Sequence, residues 1–314
     1  MKKIDLICIV SAGHSGSTLL DLILGSQKEI VSVGEIINFK RAFLNKKLCT
    51  CGKILENCEY WSVVIREYKK FIETDNKTLF NMYAFNSMKD RIIFYIFNKP
   101  SFLWTNNEIQ QYGLKNYYLL KSIKKVSGKR IIFDSSKDVP KLIKLFLSGL
   151  FNIKIIYLFR DGRDNIESIK RKAKDPKREE AYYNGALFHT ISFIVMHFAY
   201  WRAIRRIGRQ NTLVIRYKDF AMYPKNVLNH ICKFIGVDFQ EETINPQSPN
   251  YFSTSMHHTT GGNRLRLKYT EKITYKKKWT KGLNKKEQLI FQLLGGKIVN
   301  KIFEKLSSGL YNEK

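Results

Sequence analysis

The stretch IDLICIVSAGHSGSTLLDLILGSQ, Ile4 to Gln27, decides the fold, because an apolar run, a Gly/Ser loop and an amphipathic segment follow one another without a break. Leu6 to Val10 is apolar at every position, the pattern of a parallel strand covered on both faces. Leu19, Leu20, Ile23 and Leu24 recur at helical spacing, and Ser17 or Thr18 is placed to cap that helix. Between them lie Ser11-Ala12-Gly13-His14-Ser15-Gly16. Glycines at 13 and 16 let the backbone turn tightly and aim successive N–H groups at one oxyanion, and the helix N-terminus adds its positive end. The order predicts a nest for a phosphate or sulfate group.

A Walker A loop, G-x-x-x-x-G-K-[ST], carries a lysine after its second glycine, whereas here Gly16 runs straight into Ser17 and Thr18. The basic residue inside the loop is His14. Without the lysine, a 5′-phosphate or phosphosulfate suits the loop better than a triphosphate with Mg²⁺. An ordinary strand-turn-helix also explains the loop taken alone, so a second signal is needed.

Composition bounds the rest. The 314 residues suffice for one large α/β domain or two small ones, and 44% hydrophobic with 13% aromatic content supports a substantial core rather than disorder. The net charge of +28 fits anionic partners: nucleic acid, an acidic membrane surface or a polyanionic small molecule. Lysines spread over solvated faces explain it equally well. Two clusters rise above that background: Lys154 to Arg178, with nine basic and four acidic residues, and Arg264 to Lys286, with ten and one. Met1-Lys2-Lys3 imitates the start of a secretion signal, but Asp5 interrupts it and the apolar run ends at Val10. Ala181 to Trp201 contains Asn184, His189, Ser192 and His197, which predicts a buried helix and not a membrane span. The expected location is the cytoplasm, with peripheral contact to an anionic membrane compatible with the charge. Five cysteines form no even disulfide framework.

Further along, strand ends coincide repeatedly with polar residues. Ile30 to Val33 reads as a strand ending at Gly34-Glu35, which places a carboxylate where ligands bind in open α/β sheets; a helix-start carboxylate is the plainer alternative. Cys49, Cys51 and Cys58 offer three thiolates, one short of a structural zinc site, with no histidine nearby in sequence. Packing cysteines are the favoured reading, ahead of a disulfide and then zinc, and no metal is expected. Residues from about 60 to 127 have helical spacing and many aromatics, and read as a helical insertion into one domain spanning residues 1 to 314. Ile131 to Phe133 is a strand followed by Asp134-Ser135-Ser136-Lys137, with a helix from about Pro140. Asn152 to Leu158 is a strand leading into Arg160, and Ser168 lies two turns into the next helix; guanidinium and hydroxyl so placed can converge on one phosphate, although the arginine taken alone can equally pair with Asp161 or Asp164. Glu179 to Arg209 reads as one helix, Thr212 to Ile215 as a strand with Tyr217-Lys218-Asp219 after it, Val227 to Ile235 as a helix stopped by Gly236, and Lys285 to Leu306 as a closing helix.

Taken together, SAGHSGSTLLD, DSSK, YLFRDGRDNIES, and GGNRLR followed by Trp279 resemble the sulfotransferase family that uses 3′-phosphoadenosine 5′-phosphosulfate, over Leu6 to about Trp279. The order and the eight-residue separation of Arg160 and Ser168 carry the resemblance. The C-x-C-G…C-x-x-W loop also looks like bacterial members. The resemblance implies an α/β fold with a central parallel sheet flanked by helices, related to P-loop kinases. It implies that Gly13, His14, Ser15, Gly16, Ser17 and Thr18 hold the 5′-phosphosulfate, that Arg160 and Ser168 hold the 3′-phosphate, and that Gly262, Asn263 and Arg264 close over the nucleotide. His14 stands where many members have Lys or Arg, and DSSK lacks the histidine that small-molecule enzymes of the family use as base.

Sulfuryl transfer to a hydroxyl is an in-line displacement that needs alignment, a base and charge stabilisation. His14 and Lys137 are the candidate stabilisers and Glu35 the candidate base, a role the resemblance supports for a Gly-Glu carboxylate after the second strand. Fixed cations and N–H dipoles can replace the Mg²⁺ of kinases, so no metal is required. The expected acceptor is a hydroxyl, or an amine, of a small molecule or glycan such as a saccharide or lipid-linked sugar. Two alternatives stay open: a P-loop-like nucleotide or sugar kinase, and a basic nucleic-acid-binding protein, although no recognition motif for a specific nucleic acid is present.

Overall fold

A computed structural model describes residues 1–72, 80–85, 87–97, 99–173, 183–249, 251–252, 257–259, 275 and 277–307. The opening apolar run forms β1 (Ile4–Val10), and the amphipathic segment after the loop forms α1 (Ser17–Gly25). The chain continues through β2 (Ile30–Gly34), α2 (Phe39–Leu44), α3 (Glu59–Lys69), α4 (Met88–Phe97) and α5 (Asn106–Ser127) to β3 (Ile131–Asp134). It then runs through α6 (Val139–Leu147), β4 (Phe151–Phe159), α7 (Gly162–Ala173) and α8 (Gly185–Ile207) to β5 (Thr212–Arg216). After it come α9 (Tyr217–Met222) and α10 (Pro224–Ile235), a helical turn at Trp279–Gly282, α11 (Lys285–Leu293) and α12 (Gly296–Ser307).

The five strands are parallel in the order β2-β3-β1-β4-β5, with Leu6 opposite both Ile132 and Ile153. Alternate side chains of β1 and β4 feed two separate cores, which is why Leu6 to Val10 and Ile155 to Phe159 run without a polar residue. Leu6, Cys8 and Val10 join Ile155 and Tyr157 on the side covered by Trp61 of α3, Leu120 of α5, Leu142 of α6 and Tyr200 of α8. Ile7, Ile9, Ile156 and Leu158 face the other way, onto Leu20 and Ile23 of α1 and Leu228 and Ile231 of α10. The sheet is thus buried on both sides.

Several local expectations are corrected. Neither Ser17 nor Thr18 caps α1; its N-cap is Gly16, in the left-handed region at φ 93, with no side-chain cap. The closing helix is two, because Gly295 takes φ 88 and a methyl at Gly296 would meet the Phe291 ring at 2.5 Å. Within the expected helix from Glu179 the described part is α8, and it is not buried all round: Leu187, Phe188, Ile191, Val195 and Phe198 are exposed. No helix among the described residues is long and apolar enough to cross a membrane.

Candidate active site

Parallel strands bring their C-terminal ends to one edge of the sheet, and the polar clusters singled out in the sequence leave from there. The loop after β1 holds His14 at φ 64 and Gly16 at φ 93, and the Gly16 carbonyl accepts from Leu19 N–H at 3.0 Å. A non-glycine residue in the left-handed region is uncommon and costs free energy, so the surroundings must impose it. Lys137, in the loop after β3, is likewise left-handed at φ 59.

β2 and β3 are neighbours, so Glu35 and the Asp134-Ser135-Ser136-Lys137 loop interlock. Ser135 N–H donates to Gly34 O at 3.0 Å, and Ile37 N–H donates to Ser136 Oγ at 3.1 Å. The register shift between Ser32 and Gly34 is a bulge, and Gly34 follows it at φ 62, turning the chain before Glu35. The outcome is an ion pair between Lys137 Nζ and Glu35 Oε1, with the same ammonium donating to Ser17 Oγ at 3.3 Å. Asn38 Nδ2 donates to the other Glu35 oxygen at 3.1 Å. Glu35, Lys137 and the first residue of α1 therefore meet at one point.

On the other side of β1, Arg160 leaves β4 and its Nη1 donates to the carbonyl of His14 at 2.7 Å, while its guanidinium lies 4.7 Å from the centre of the Tyr217 ring. Arg160 Nε is buried with no partner, as are Ser11 Oγ and Ser15 Oγ under the loop and both side-chain polar atoms of Asn165 on α7. Unpaired buried polar atoms are costly, and their grouping around one loop suits a site completed by a polar ligand. Ser168 lies on α7 and is 6% exposed, on the covered side of the helix that Arg160 introduces. Gly262, Asn263 and Arg264 lie outside the described residues.

Further residues to which the sequence assigned no role in the site join it. Lys172, one turn beyond Ser168 in the first basic cluster, places Nζ 2.6 Å from His14 Nδ1. Tyr217 sits at the end of β5, a position shared with the other site residues, and a methyl at Gly16 would come within 2.3 Å of its ring. Asp21, at the end of the opening motif, is fully buried and accepts from Ser32 Oγ at 2.7 Å; burial pushes its carboxyl up to about 7. Asp164 Oδ1 accepts from Lys278 N–H at 3.2 Å and Trp279 N–H at 3.3 Å, and Arg163 stacks 3.8 Å from the Trp279 ring centre, which docks the Trp279 turn onto α7. Charged residues in a basic sequence carry no such pairing on their face, so tertiary contact alone distinguishes them.

The family model "Sulfotransferase family" matches residues 6–241, most of the chain, and the protein belongs to the sulfotransferase family. Among solved structures, the sulfotransferase domain from the Synechococcus PCC 7002 olefin synthase is 18% identical, with a TM-score of 0.52 over 94% of this chain and 96% of that one. The sulfotransferase domain from the curacin biosynthetic pathway is 20% identical, also at 0.52, over 94% and 99%. At these identities the likeness is one of fold. A search of curated proteins returns no significant match.

Proposed function

We propose that the enzyme transfers a sulfuryl group from 3′-phosphoadenosine 5′-phosphosulfate to a hydroxyl or amine of a small molecule or glycan. The observation that carries this reading is Arg160, which is hydrogen-bonded to the backbone of the β1 loop and still keeps a buried, unpartnered N–H. A guanidinium tied to a 5′-phosphate nest suits a ligand with a second phosphate close by, at the 3′ position, for which Ser168 is the accompanying hydroxyl.

The donor supplies the activated sulfuryl group; this chain's residues hold and polarise. The backbone of Gly13 to Thr18 and the hydroxyls of Ser17 and Thr18 hold the 5′ end. Glu35 takes the acceptor's proton as the acceptor oxygen or nitrogen bonds to sulfur. Lys137, already hydrogen-bonded to Ser17, neutralises the charge left on the bridging oxygen as the bond from sulfur to that oxygen breaks. His14 donates to the same group of oxygens. The Lys137–Glu35 ion pair is consistent with both roles, because an ammonium that turns toward an incoming anion releases the carboxylate for the acceptor.

The test combines binding with product detection. 3′,5′-Adenosine bisphosphate should raise the melting temperature more than ATP with Mg²⁺, and acceptor pools incubated with enzyme and sulfate donor should gain sulfate by mass spectrometry. Greater stabilisation by ATP with Mg²⁺ overturns the donor assignment.

A further inference from the structure

The expectation of no metal rested on three cysteines lacking a fourth ligand, and the fold supplies one from the far end of the chain. His258 Nδ1 lies 3.2 Å from Cys58 Sγ and 3.7 Å from Cys49 Sγ, and Cys51 Sγ lies 3.6 Å from Cys58 Sγ. All four donor atoms fall within 4.8 Å of one another. We propose that Cys49, Cys51, Cys58 and His258 bind one zinc ion as a closed structural site.

A tetrahedral ion with Zn–S of about 2.3 Å and Zn–N of about 2.0 Å sets its donors roughly 3.5–3.8 Å apart, so the observed separations need little adjustment. Three thiolates with one imidazole form a donor set that favours zinc over hard cations, and four protein ligands leave no position for a substrate.

The surroundings are organised to hold the thiolates. Cys49 N–H donates to Lys53 O at 2.9 Å and Gly52 N–H to Cys49 O at 2.9 Å, Gly52 takes φ 83, and an antiparallel bridge between Leu48 and Ile54 closes the turn. That turn points the sulfurs of Cys49 and Cys51 the same way despite their spacing. Cys58 is the N-cap of α3, at the end of the helix where the first-turn N–H groups have no partner within the helix.

His258 is held just as firmly. Its ring stacks on Tyr60 with centroids 5.0 Å apart and planes 14° from parallel, and Thr259 N–H donates to Thr50 Oγ1 at 3.1 Å. On the other flank, His257 Nε2 is 3.0 Å from Ser26 Oγ. A disulfide would use two of the thiols and leave a thiol and an imidazole with nothing to bind, whereas one ion uses all four groups. This inference does not depend on the identity of the sulfate donor.

The experiment takes the full chain, purified under reducing conditions without a metal-affinity tag. Elemental analysis should give stoichiometric zinc, and X-ray absorption should give three sulfur ligands and one nitrogen. Chelation should lower the melting temperature, and zinc, not magnesium, should restore it. His258→Ala and Cys51→Ser should each lose zinc affinity at least tenfold, and His258→Cys should keep the ion with four sulfurs even if the other variants fold poorly. Wild-type protein that stays substoichiometric after incubation with zinc and reductant overturns the proposal. So does a Cys51–Cys58 disulfide in protein never exposed to oxidant, or an unchanged absorption spectrum in His258→Ala.

Discussion

The ammonium of Lys172 lies 2.6 Å from Nδ1 of His14. An ammonium has only donors, so Nδ1 accepts and the imidazole proton sits on Nε2. Ring ¹⁵N shifts at neutral pH should report the neutral Nε2–H tautomer in the wild type and a mixture of tautomers in Lys172→Met. A wild-type spectrum dominated by Nδ1–H would contradict the contact.

Arg160→Ala should weaken 3′,5′-adenosine bisphosphate by about 2–5 kcal/mol, the usual cost of removing one partner of a buried charge-assisted contact. Adenosine 5′-phosphate lacks the 3′ group, and its affinity should change much less. Calorimetry with both nucleotides decides; equal losses would mean that Arg160 serves only to brace the His14 carbonyl.

Glu35→Gln keeps shape and removes the base. Turnover should fall by roughly 10²–10⁴, the range of general base catalysis, with donor affinity nearly unchanged. The companion variant Lys137→Met should impair both turnover and donor binding, since its ammonium touches Ser17 as well as Glu35. If Glu35→Gln turns over normally, the carboxylate only positions Lys137.

Gly16→Ala faces two penalties, a left-handed backbone at φ 93 and a methyl 2.3 Å from the Tyr217 ring. Together they should cost roughly 1–3 kcal/mol or more of stability in urea unfolding. Tyr217→Ala should relieve the second penalty and not the first. A double-mutant cycle should therefore show coupling of about 0.5–3 kcal/mol, and simple additivity would mean that the ring moves aside at no cost.

Asp21 gives a pH signature. Its carboxyl is raised by burial to about 7 from an ordinary 3.8, so between those values the folded protein keeps a proton that the unfolded chain releases. The sign follows: this contribution is fully present below pH about 4 and is lost as pH rises through about 7, at up to about 1.4 kcal/mol per pH unit. Asp21→Asn should remove that slope. From pH 4.5 to 7.5 the wild type's urea midpoint should fall steadily relative to that of Asp21→Asn; a constant offset would assign Asp21 no titration in this window.

The strands and the residues at their ends were legible because a doubly covered parallel strand writes itself as an uninterrupted apolar run, as in Ile155 to Phe159, and the next polar residues must lie at the sheet's edge. What the sequence withheld is tertiary. His258 is 200 residues from the cysteine it approaches, so no spacing rule reaches it. Lys172 looks like any lysine in a basic helix. Gly16 took the capping position expected of a hydroxyl residue because Tyr217, arriving from β5, leaves no room for a side chain there.

The central place of β1 in the sheet has a consequence for how the protein is made. Ile4 pairs opposite Phe151 and Leu6 opposite Ile132, so β1 has no strand partner until more than a hundred further residues have left the ribosome. At roughly 5–20 residues per second, that interval is on the order of ten seconds, during which its apolar run has only helices to shelter against. The loop after β1 is therefore synthesised well before it is rigidified, and a nascent chain arrested before β4 should hold an aggregation-prone edge that a chaperone can recognise.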